Sequence, residues 1–190
     1  GTLLVNGSLT SATTVNATGT LGGCGTIAAL VTIAAGGTLS PGNSPGELTV
    51  SALALTSSAG GSTTTMQIGG ATLGSQYDNV DVTTSGGLTY GGLLNIVSYS
   101  PYVISAQSGS YDLFSFTGGA TGDFNAVTVD AFALTDVADV WTGTSGGAFF
   151  TFTDATGILN VTTLSAVPEP ASLALLAIGS IGLLRRRRSR

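Results

Sequence analysis

The chain has 190 residues, with ten acidic and five basic side chains and no histidine, and all five basic residues are arginines within the last six positions. A segment without Lys or Arg cannot neutralise phosphates, which excludes nucleic-acid binding by residues 1–184. A chain without His cannot form a Ser–His–Asp triad or a histidine metal site, and a hydrophobic content of 43% excludes disorder driven by charge.

The first 40 residues repeat with a period of 18. A fixed period of about 20 with short apolar runs is typical of stacked coils rather than of a compact globule. The repeated units are Gly-Thr-Leu at residues 1–3, 19–21 and 37–39, Gly7-Ser8-Leu9 with Gly25-Thr26-Ile27, and Thr14-Val15 with Thr32-Ile33.

Aliphatic residues in the same segment alternate along the chain. Alternation with a period of two places one face of a strand inward and the other outward. Period and alternation together predict an all-β fold, a parallel β-helix of stacked coils about 18 residues long, with strands of about 4–6 residues. Of eleven Leu, Val and Ile residues in positions 1–40, only Leu4 and Leu30 lie at even positions; the others are Leu3, Val5, Leu9, Val15, Leu21, Ile27, Val31, Ile33 and Leu39.

The pattern changes after residue 40, where residues 40–46 form a turn cluster with two prolines and two glycines. Aliphatic residues then lie at even positions, Leu48 and Val50, before they return to odd ones at Leu53 and Leu55. All seven Phe, all five Tyr and the single Trp follow residue 55, and we expect these rings to fill the final coils and cap the stack. Later strands are predicted at 64–68, 79–83, 93–99, 111–116, 126–134, 148–153 and 158–163.

The C-terminal tail has a different composition. Pro168 and Pro170 end the strand pattern, and residues 171–184 carry no charge. A helix over 171–184 is about 21 Å long, which on length alone fits a buried core helix. The arginines that follow favour a short transmembrane helix instead, because their side chains can reach the interface and a bilayer can thin locally. The positive-inside rule places them in the cytoplasm as the stop and topology signal: Arg185, Arg186, Arg187, Arg188 and Arg190.

The tail resembles a PEP-CTERM sorting signal. It carries Pro168-Glu169-Pro170, then Ser172-Leu173, a short apolar span with Gly179 and Gly182, and a terminal arginine cluster. The resemblance implies an exported protein whose precursor is held transiently in the inner membrane of a Gram-negative-type bacterium. An exosortase, a membrane-embedded cysteine protease, would recognise Val167, Pro168, Glu169 and Pro170 and remove the tail, leaving the protein at the cell surface or outside the cell.

The body is similar to autotransporter-associated β-strand repeats, which implies a right-handed parallel β-helix at a cell surface. The matching segments are residues 19–23, 25–27, 35–46, 48–50 and 74–78, the last followed by Val80 and Val82. We therefore expect a β-helix repeat domain over residues 1–165, followed by a sorting signal over residues 166–190. Because the first residue is Gly rather than Met, we also expect the repeat domain to be incomplete at its N-terminus.

Few residues offer catalytic chemistry. The candidate acid pairs are Asp78 with Asp81 and Asp136 with Asp139, but side chains three positions apart on a strand face opposite sides. Cys24 has no His or Lys that would lower its pKa. We therefore predict no catalytic residue and no enzyme. The alternative is a polysaccharide-active β-helix enzyme, a lyase or glycoside hydrolase, which would use acids such as Asp78 and Asp81.

No cofactor is predicted, and one structural calcium ion is left open because six aspartates lie in the last third of the body. The other interpretation is that they are solvated turn residues, as the tandem nonapeptide of calcium-binding rolls is absent. The six aspartates are Asp112, Asp123, Asp130, Asp136, Asp139 and Asp154.

The expected function is an elongated spacer or adhesin whose partners are an exosortase, the inner membrane and an exopolysaccharide or other surface matrix. The glycosylation sequons at Asn6, Asn16 and Asn160 are expected by chance.

Overall fold

A computed structural model describes residues 1–58 and 60–164. In these residues the structure contains twenty β-strands and one short 3₁₀ helix, Ile104–Ala106, which confirms the all-β class. The strands are β1 (Thr2–Leu4), β2 (Ser8–Leu9), β3 (Thr13–Val15), β4 (Thr20–Gly23), β5 (Thr26–Ile33), β6 (Thr38–Pro41), β7 (Glu47–Leu55), β8 (Thr63–Ile68), β9 (Asn79–Val82), β10 (Leu88–Thr89), β11 (Leu93–Ser98), β12 (Gly109–Asp112), β13 (Phe114–Phe116), β14 (Ala120–Thr121), β15 (Ala126–Val129), β16 (Phe132–Ala133), β17 (Thr135–Asp136), β18 (Val140–Ser145), β19 (Ala148–Thr153) and β20 (Ile158–Thr163).

The first sheet stacks every repeat on the one before it. Its order is β1-β4-β6-β8-β11-β15-β16, and all pairs are parallel except the last, β15 with β16. Thr2 pairs with Thr20 and Thr20 with Thr38, so the 18-residue period seen in the sequence is the register of this ladder. The period then lengthens, because Thr38 pairs with Thr63 and Thr63 with Leu93.

The second sheet is also parallel and includes two long strands. β2 and β3 both pair with β5, β5 pairs with β7, and β7 pairs with β9 and β10, which in turn pair with β13 and β14. A bulge between β5 and β7 offsets Ile27 and Leu30 against Val50 and Ala52. In β5 two residues, Ala28 and Ala29, lie opposite one residue of β7, Ser51. The inward positions of β7 therefore change from even, at Val50, to odd, at Leu53, while those of β5 stay odd.

Inward side chains of the two parallel sheets form one continuous core. The alternation predicted for residues 1–40 is confirmed at Leu21, Ile27 and Leu39, which are fully buried, while Leu4 and Leu30 are exposed. Leu3, at an odd position, departs from the pattern and is 48% exposed. Its strand β1 has a paired neighbour on one side, β4, so nothing in the described residues covers the other side.

The last third differs from the sequence prediction because its strands pair antiparallel rather than as further coils. The sheet order is β12-β20-β19-β18-β17. The predicted strand 126–134 is two strands, since Asp130 and Ala131 have φ angles of 47° and 67° and turn the chain back on itself. The predicted strand 111–116 is likewise divided, its first part joining the antiparallel sheet and its second the parallel one. Strand β18 was not anticipated.

An aromatic cluster lies where the parallel sheets meet the antiparallel sheet. The rings of Tyr90 and Phe124 have centroids 4.8 Å apart, and those of Phe124 and Phe152 are 5.9 Å apart. Phe152 belongs to β19 of the antiparallel sheet, whereas Phe114, 6.5 Å from it, belongs to the parallel sheet. Each buried ring removes a large apolar area from water, so this cluster fixes the two parts against each other.

Within residues 1–58 and 60–164, no helix has the length and apolar character needed to cross a membrane. The transmembrane helix predicted at residues 171–184 lies outside the described residues.

Candidate functional site

The residues of the predicted sorting signal lie beyond the part of the chain that the structure describes. They are Val167, Pro168, Glu169, Pro170, Arg185, Arg186, Arg187, Arg188 and Arg190. The last described residue, Leu164, follows β20 and is half exposed, and its backbone N–H donates a hydrogen bond of 2.7 Å to the Gly147 carbonyl. The strand that leads to the tail therefore ends at the surface of the body.

The first predicted acid pair consists of one buried carboxyl group and one partly exposed carboxyl group. Asp78 is fully buried, and its two oxygens accept hydrogen bonds from the backbone N–H groups of Gly46, at 2.7 Å, and Gln67, at 2.8 Å. Burial raises the pKa of Asp78 to about 7, although these two hydrogen bonds lower it. Asp81 lies on β9 and is partly exposed. Because both Asp78 oxygens bond to the backbone, they join the turn before β7 to strand β8.

The second predicted acid pair is exposed. Asp136 lies on β17, and Asp139 lies in the turn before β18 with a φ of 64°. Asp139 instead shares a small cavity with two other aspartates. This cavity, here called the acidic cavity, has a volume of about 170 Å³ and is lined by Tyr90, Ala120, Thr121, Gly122, Asp123, Asp139, Asp154 and Ala155.

Four separate segments build the acidic cavity, around residues 90, 122, 139 and 154. Asp123 comes from the turn after β14 in the parallel sheet, while Asp139 and Asp154 come from the open end of the β18–β19 hairpin. The backbone N–H of Asp154 donates a 3.2 Å hydrogen bond to the Asp139 carbonyl, which holds the two ends of the hairpin together. The cavity therefore lies at the junction between the parallel and antiparallel parts.

Asp154 is the buried acid of the cavity, with 4% of its surface exposed. Its Oδ2 accepts a hydrogen bond of 3.3 Å from the Trp141 indole N–H, while its Oδ1 has no partner in the described residues. The pKa of Asp154 is raised to about 7, chiefly by burial; the Trp141 hydrogen bond lowers it, and the charges of Asp123, Asp139 and Asp136 contribute to the rise. A buried acceptor without a partner costs about 1–3 kcal/mol, so this oxygen favours any group that can pair with it.

Tyr90, another residue that lines the cavity, also has a buried side-chain oxygen without a partner. The residue is 1% exposed, and its hydroxyl makes no hydrogen bond within the described chain. Burial and the nearby carboxylates of Asp154 and Asp112 raise the pKa of Tyr90, so the phenol stays neutral. Gly122 lies against the backbone of Tyr90: its φ is 69°, and a Cβ at this position would lie 2.7 Å from the Tyr90 carbonyl oxygen.

The remaining aspartates of the predicted group make other contacts. Asp130 accepts hydrogen bonds from the backbone N–H and the hydroxyl of Ser98, at 2.7 and 2.6 Å. Asp112 accepts one of 2.9 Å from the Ser115 hydroxyl, and burial raises its pKa while that bond lowers it. In the described residues no three carboxylate, thiol or imidazole groups already converge as a metal-ligand set. Cys24, Asn6, Asn16 and Asn160 are exposed.

Sequence reasoning finds the three acids that line the cavity but does not predict that they lie together. Asp123, Asp139 and Asp154 were candidates together with three aspartates that lie elsewhere. Sequence reasoning does not find Tyr90, which lines the cavity, or Trp141, which donates a hydrogen bond to Asp154, because both contacts join separate segments. No short sequence pattern encodes such contacts.

A family model for the PEP-CTERM protein-sorting motif matches residues 166–188. The match contains Val167, the Pro168-Glu169-Pro170 tripeptide and the arginines at 185–188. A comparison with curated proteins finds no match to the chain.

The matched motif supports an exported protein that an exosortase targets. It implies a precursor that is anchored in a membrane and a product that reaches the cell surface. The all-β body, residues 1–164 apart from residue 59, precedes this tail directly.

Proposed function

We propose that this protein is an elongated β-helix spacer or adhesin at the surface of a Gram-negative-type bacterium, delivered there by exosortase removal of its tail. The observation that carries the proposal is the sorting motif at residues 166–188, which follows a body built from stacked strands. In this proposal the mature protein contacts an exopolysaccharide or another component of the surface matrix.

The distribution of charge supports a transient membrane stage. Every arginine of the chain lies in the last six positions, immediately after the uncharged segment 171–184. In the proposed precursor this segment is a short transmembrane helix, and the arginines keep its end in the cytoplasm. Cleavage near Pro168 then separates the body from all of its basic side chains.

The parallel ladders support the spacer role. We interpret the two parallel sheets as faces of a right-handed parallel β-helix of the kind formed by autotransporter-associated repeats, in which each coil adds about 4.8 Å of length. An outward column of threonines, Thr2, Thr20, Thr38 and Thr63, runs along one face. Uncharged hydroxyl groups on such a face keep it soluble and can hydrogen-bond to the hydroxyls of a polysaccharide.

The enzymatic alternative has less support. It would use Asp78 and Asp81 as a carboxylate pair, but both oxygens of Asp78 accept backbone hydrogen bonds inside the core. A general acid or nucleophile must reach its substrate. We therefore propose a non-enzymatic surface protein.

The delivery step is tested in a bacterium that has an exosortase and in the same strain without it. The full precursor is compared with a variant that carries Pro168→Ala, Glu169→Ala and Pro170→Ala, and with Asn160→Ala, an exposed change upstream of the tail. Fractionation and intact mass should show the wild type and Asn160→Ala cleaved and outside the membrane. The triple variant should keep its full mass in the membrane fraction.

Two results would contradict the delivery step. One is equal processing of the triple variant and the wild type, and the other is processing of the wild type that does not depend on the exosortase. The adhesin role has a separate test, co-sedimentation of the mature protein with exopolysaccharide purified from the host. If the mature protein stays in the supernatant at every polysaccharide concentration, the matrix partner is wrong even if the tail is removed as proposed.

A further inference from the structure

Three exposed apolar side chains lie around the point where the chain leaves the body toward its tail. Val103, Phe149 and Leu164 are 50%, 40% and 52% exposed. The backbone N–H of Leu164 donates a hydrogen bond to the Gly147 carbonyl, and Phe149 follows that glycine by two positions on β19. Val103 precedes the 3₁₀ helix, which packs against β19, β20 and the turn between β18 and β19. These three side chains, here called the exit surface, form an apolar region around the start of the tail.

Two members of the exit surface lie on one face of the antiparallel sheet. Phe149 pairs with Thr162, and alternation along β20 places Leu164 on the same face as Thr162. Leu164 is therefore a diagonal neighbour of Phe149, at about 7–8 Å. Thr144 pairs with Phe149 from the other side and is exposed, as is Thr162. The apolar surface is therefore continuous across strands and open to a partner.

The acids of the antiparallel sheet lie at its opposite end. Thr153 is five positions along β19 from Ala148, the position next to Phe149, so the two ends are about 17 Å apart. The acids within one position of the row of paired residues that contains Thr153 are Asp112, Asp136, Asp139 and Asp154. A bilayer with anionic lipids repels carboxylates, so the end with the exit surface is the one that can approach it.

One further acid, Asp130, is linked to the 3₁₀ helix beside Val103. The Ser98 hydroxyl accepts a hydrogen bond of 3.0 Å from the Ile104 N–H and donates one of 2.6 Å to Asp130. The other Asp130 oxygen accepts a 2.7 Å hydrogen bond from the Ser98 backbone N–H. Both carboxylate oxygens are therefore paired within the body, and this acid holds the start of the 3₁₀ helix in place.

The length of chain after Leu164 limits the distance between the exit surface and the membrane. In the proposed precursor residues 171–184 cross the bilayer, so this inference rests on the proposed function. From Leu164 to residue 171 a fully extended chain reaches at most about 25 Å. The body therefore stays beside the bilayer while the tail is attached, and such a tether gives even a weak contact a high effective concentration.

We propose that the exit surface docks on the lipid bilayer in the precursor, with Val103, Phe149 and Leu164 at the boundary between head groups and acyl chains. Binding at this boundary increases with the apolar area buried and with attraction between basic residues and anionic lipids. Residues 1–184 contain no Lys or Arg, so the apolar contact acts alone and is weak. It holds the body on the membrane only while the tail tethers it, and removal of the tail releases the body.

Quenching of a fluorescent probe by lipid tests the contact. The full precursor is reconstituted, without exosortase, in vesicles of phosphatidylethanolamine and phosphatidylglycerol whose acyl chains carry a doxyl quencher. The probe is attached to the exposed Cys24, which lies between β4 and β5, or to Thr144→Cys in a chain that also carries Cys24→Ser. Each labelled chain is compared with the double variant Phe149→Ser, Leu164→Ser and with the control Leu30→Ser, which removes a 46% exposed leucine from the parallel part.

The precursor should float with the vesicles, and the probe at Thr144→Cys should be quenched about threefold more than the probe at Cys24. The double variant should lower the quenching at Thr144→Cys to the level at Cys24, whereas Leu30→Ser should leave it unchanged, and circular dichroism checks that every variant is folded.

Three results would overturn the docking proposal. If the precursor floats but both probes are quenched equally, or the double variant changes nothing, the docking is wrong while the membrane stage stands. If quenching at Thr144→Cys requires added exosortase, the exit surface binds the protease rather than lipid. If the precursor does not float, the proposed membrane stage is wrong and the docking with it.

Discussion

Replacing Asp78 with alanine removes a buried carboxyl group that joins the turn before β7 to strand β8. The change leaves the backbone N–H groups of Gly46 and Gln67 without their acceptors. Each orphaned buried donor costs about 1–3 kcal/mol, so Asp78→Ala should lower the free energy of unfolding by about 2–6 kcal/mol at about pH 5. Asp81→Ala is the matched control, and it should cost less than about 0.5 kcal/mol because that side chain is partly exposed.

The cost of Asp78→Ala should also depend on pH, because the pKa of Asp78 rises from 3.8 to about 7 on folding. The folded protein binds this proton more tightly than the unfolded chain does. Asp78 therefore contributes stability that is complete below pH 3.8 and is lost as the pH rises through about 7. Since each pKa unit corresponds to about 1.4 kcal/mol, the difference between wild type and Asp78→Ala should narrow by about 3 kcal/mol between about pH 5 and pH 8.

Urea unfolding of both variants and the wild type across this pH range measures the two effects together. The linear extrapolation gives a free energy at each pH, provided that the slope with denaturant is unchanged. If Asp78→Ala costs no more than Asp81→Ala at about pH 5, the hydrogen-bonding role is refuted. If its cost stays constant with pH, the raised pKa is refuted.

Two further predictions concern packing and are measured by thermal or urea unfolding. Gly122→Ala should destabilise the protein by about 2–3 kcal/mol, because Gly122 has a φ of 69° and the new Cβ would lie 2.7 Å from the Tyr90 carbonyl oxygen. The control Gly119→Ala has a φ of 82° but open space around the new Cβ, so it should cost about 1 kcal/mol. Equal costs for the two variants would contradict the close packing at Gly122. Leu21→Ala should lower the free energy of unfolding by about 3 kcal/mol, because Leu21 is fully buried. Leu30→Ala, on the exposed face, should lower it by less than about 0.5 kcal/mol. A similar loss of stability from both variants would refute the assigned faces of the strands.

The first 55 residues could be predicted closely because their information is local. The 18-residue period fixed which strands stack, as in the pairing of Thr2 with Thr20, and the alternation fixed which side chains point inward. The parity change near Val50 was visible in the sequence, although the bulge that causes it is a property of the pairing between β5 and β7.

The antiparallel end could not be predicted in the same way. The turn after β15 uses Asp130 and Ala131 in left-handed conformations, where a glycine would have been the usual signal. The glycine pair at 146–147 is such a signal, but the strand before it contains few aliphatic residues and was passed over. Pairing direction therefore depended on turns whose sequence is not distinctive.

The candidate sites show the same limit. Asp78 has its partners at Gly46 and Gln67, which are 32 and 11 residues away, so its role as a buried acceptor could not be read from its spacing to Asp81. The acidic cavity brings together segments around residues 90, 122, 139 and 154. The sorting tail is the opposite case, because its elements are contiguous in the sequence, and the family match at residues 166–188 agrees with them.

Removal of the tail is tested most directly by mass spectrometry of the mature protein recovered from the cell surface or the medium. The predicted result is a polypeptide that contains the body but ends near Pro168, with no peptide from the arginine cluster at residues 185–190. The full mass should be found only in the membrane fraction, as the precursor. Recovery of intact protein through Arg190 outside the membrane would contradict the proposed sorting and, with it, the proposed route to the cell surface.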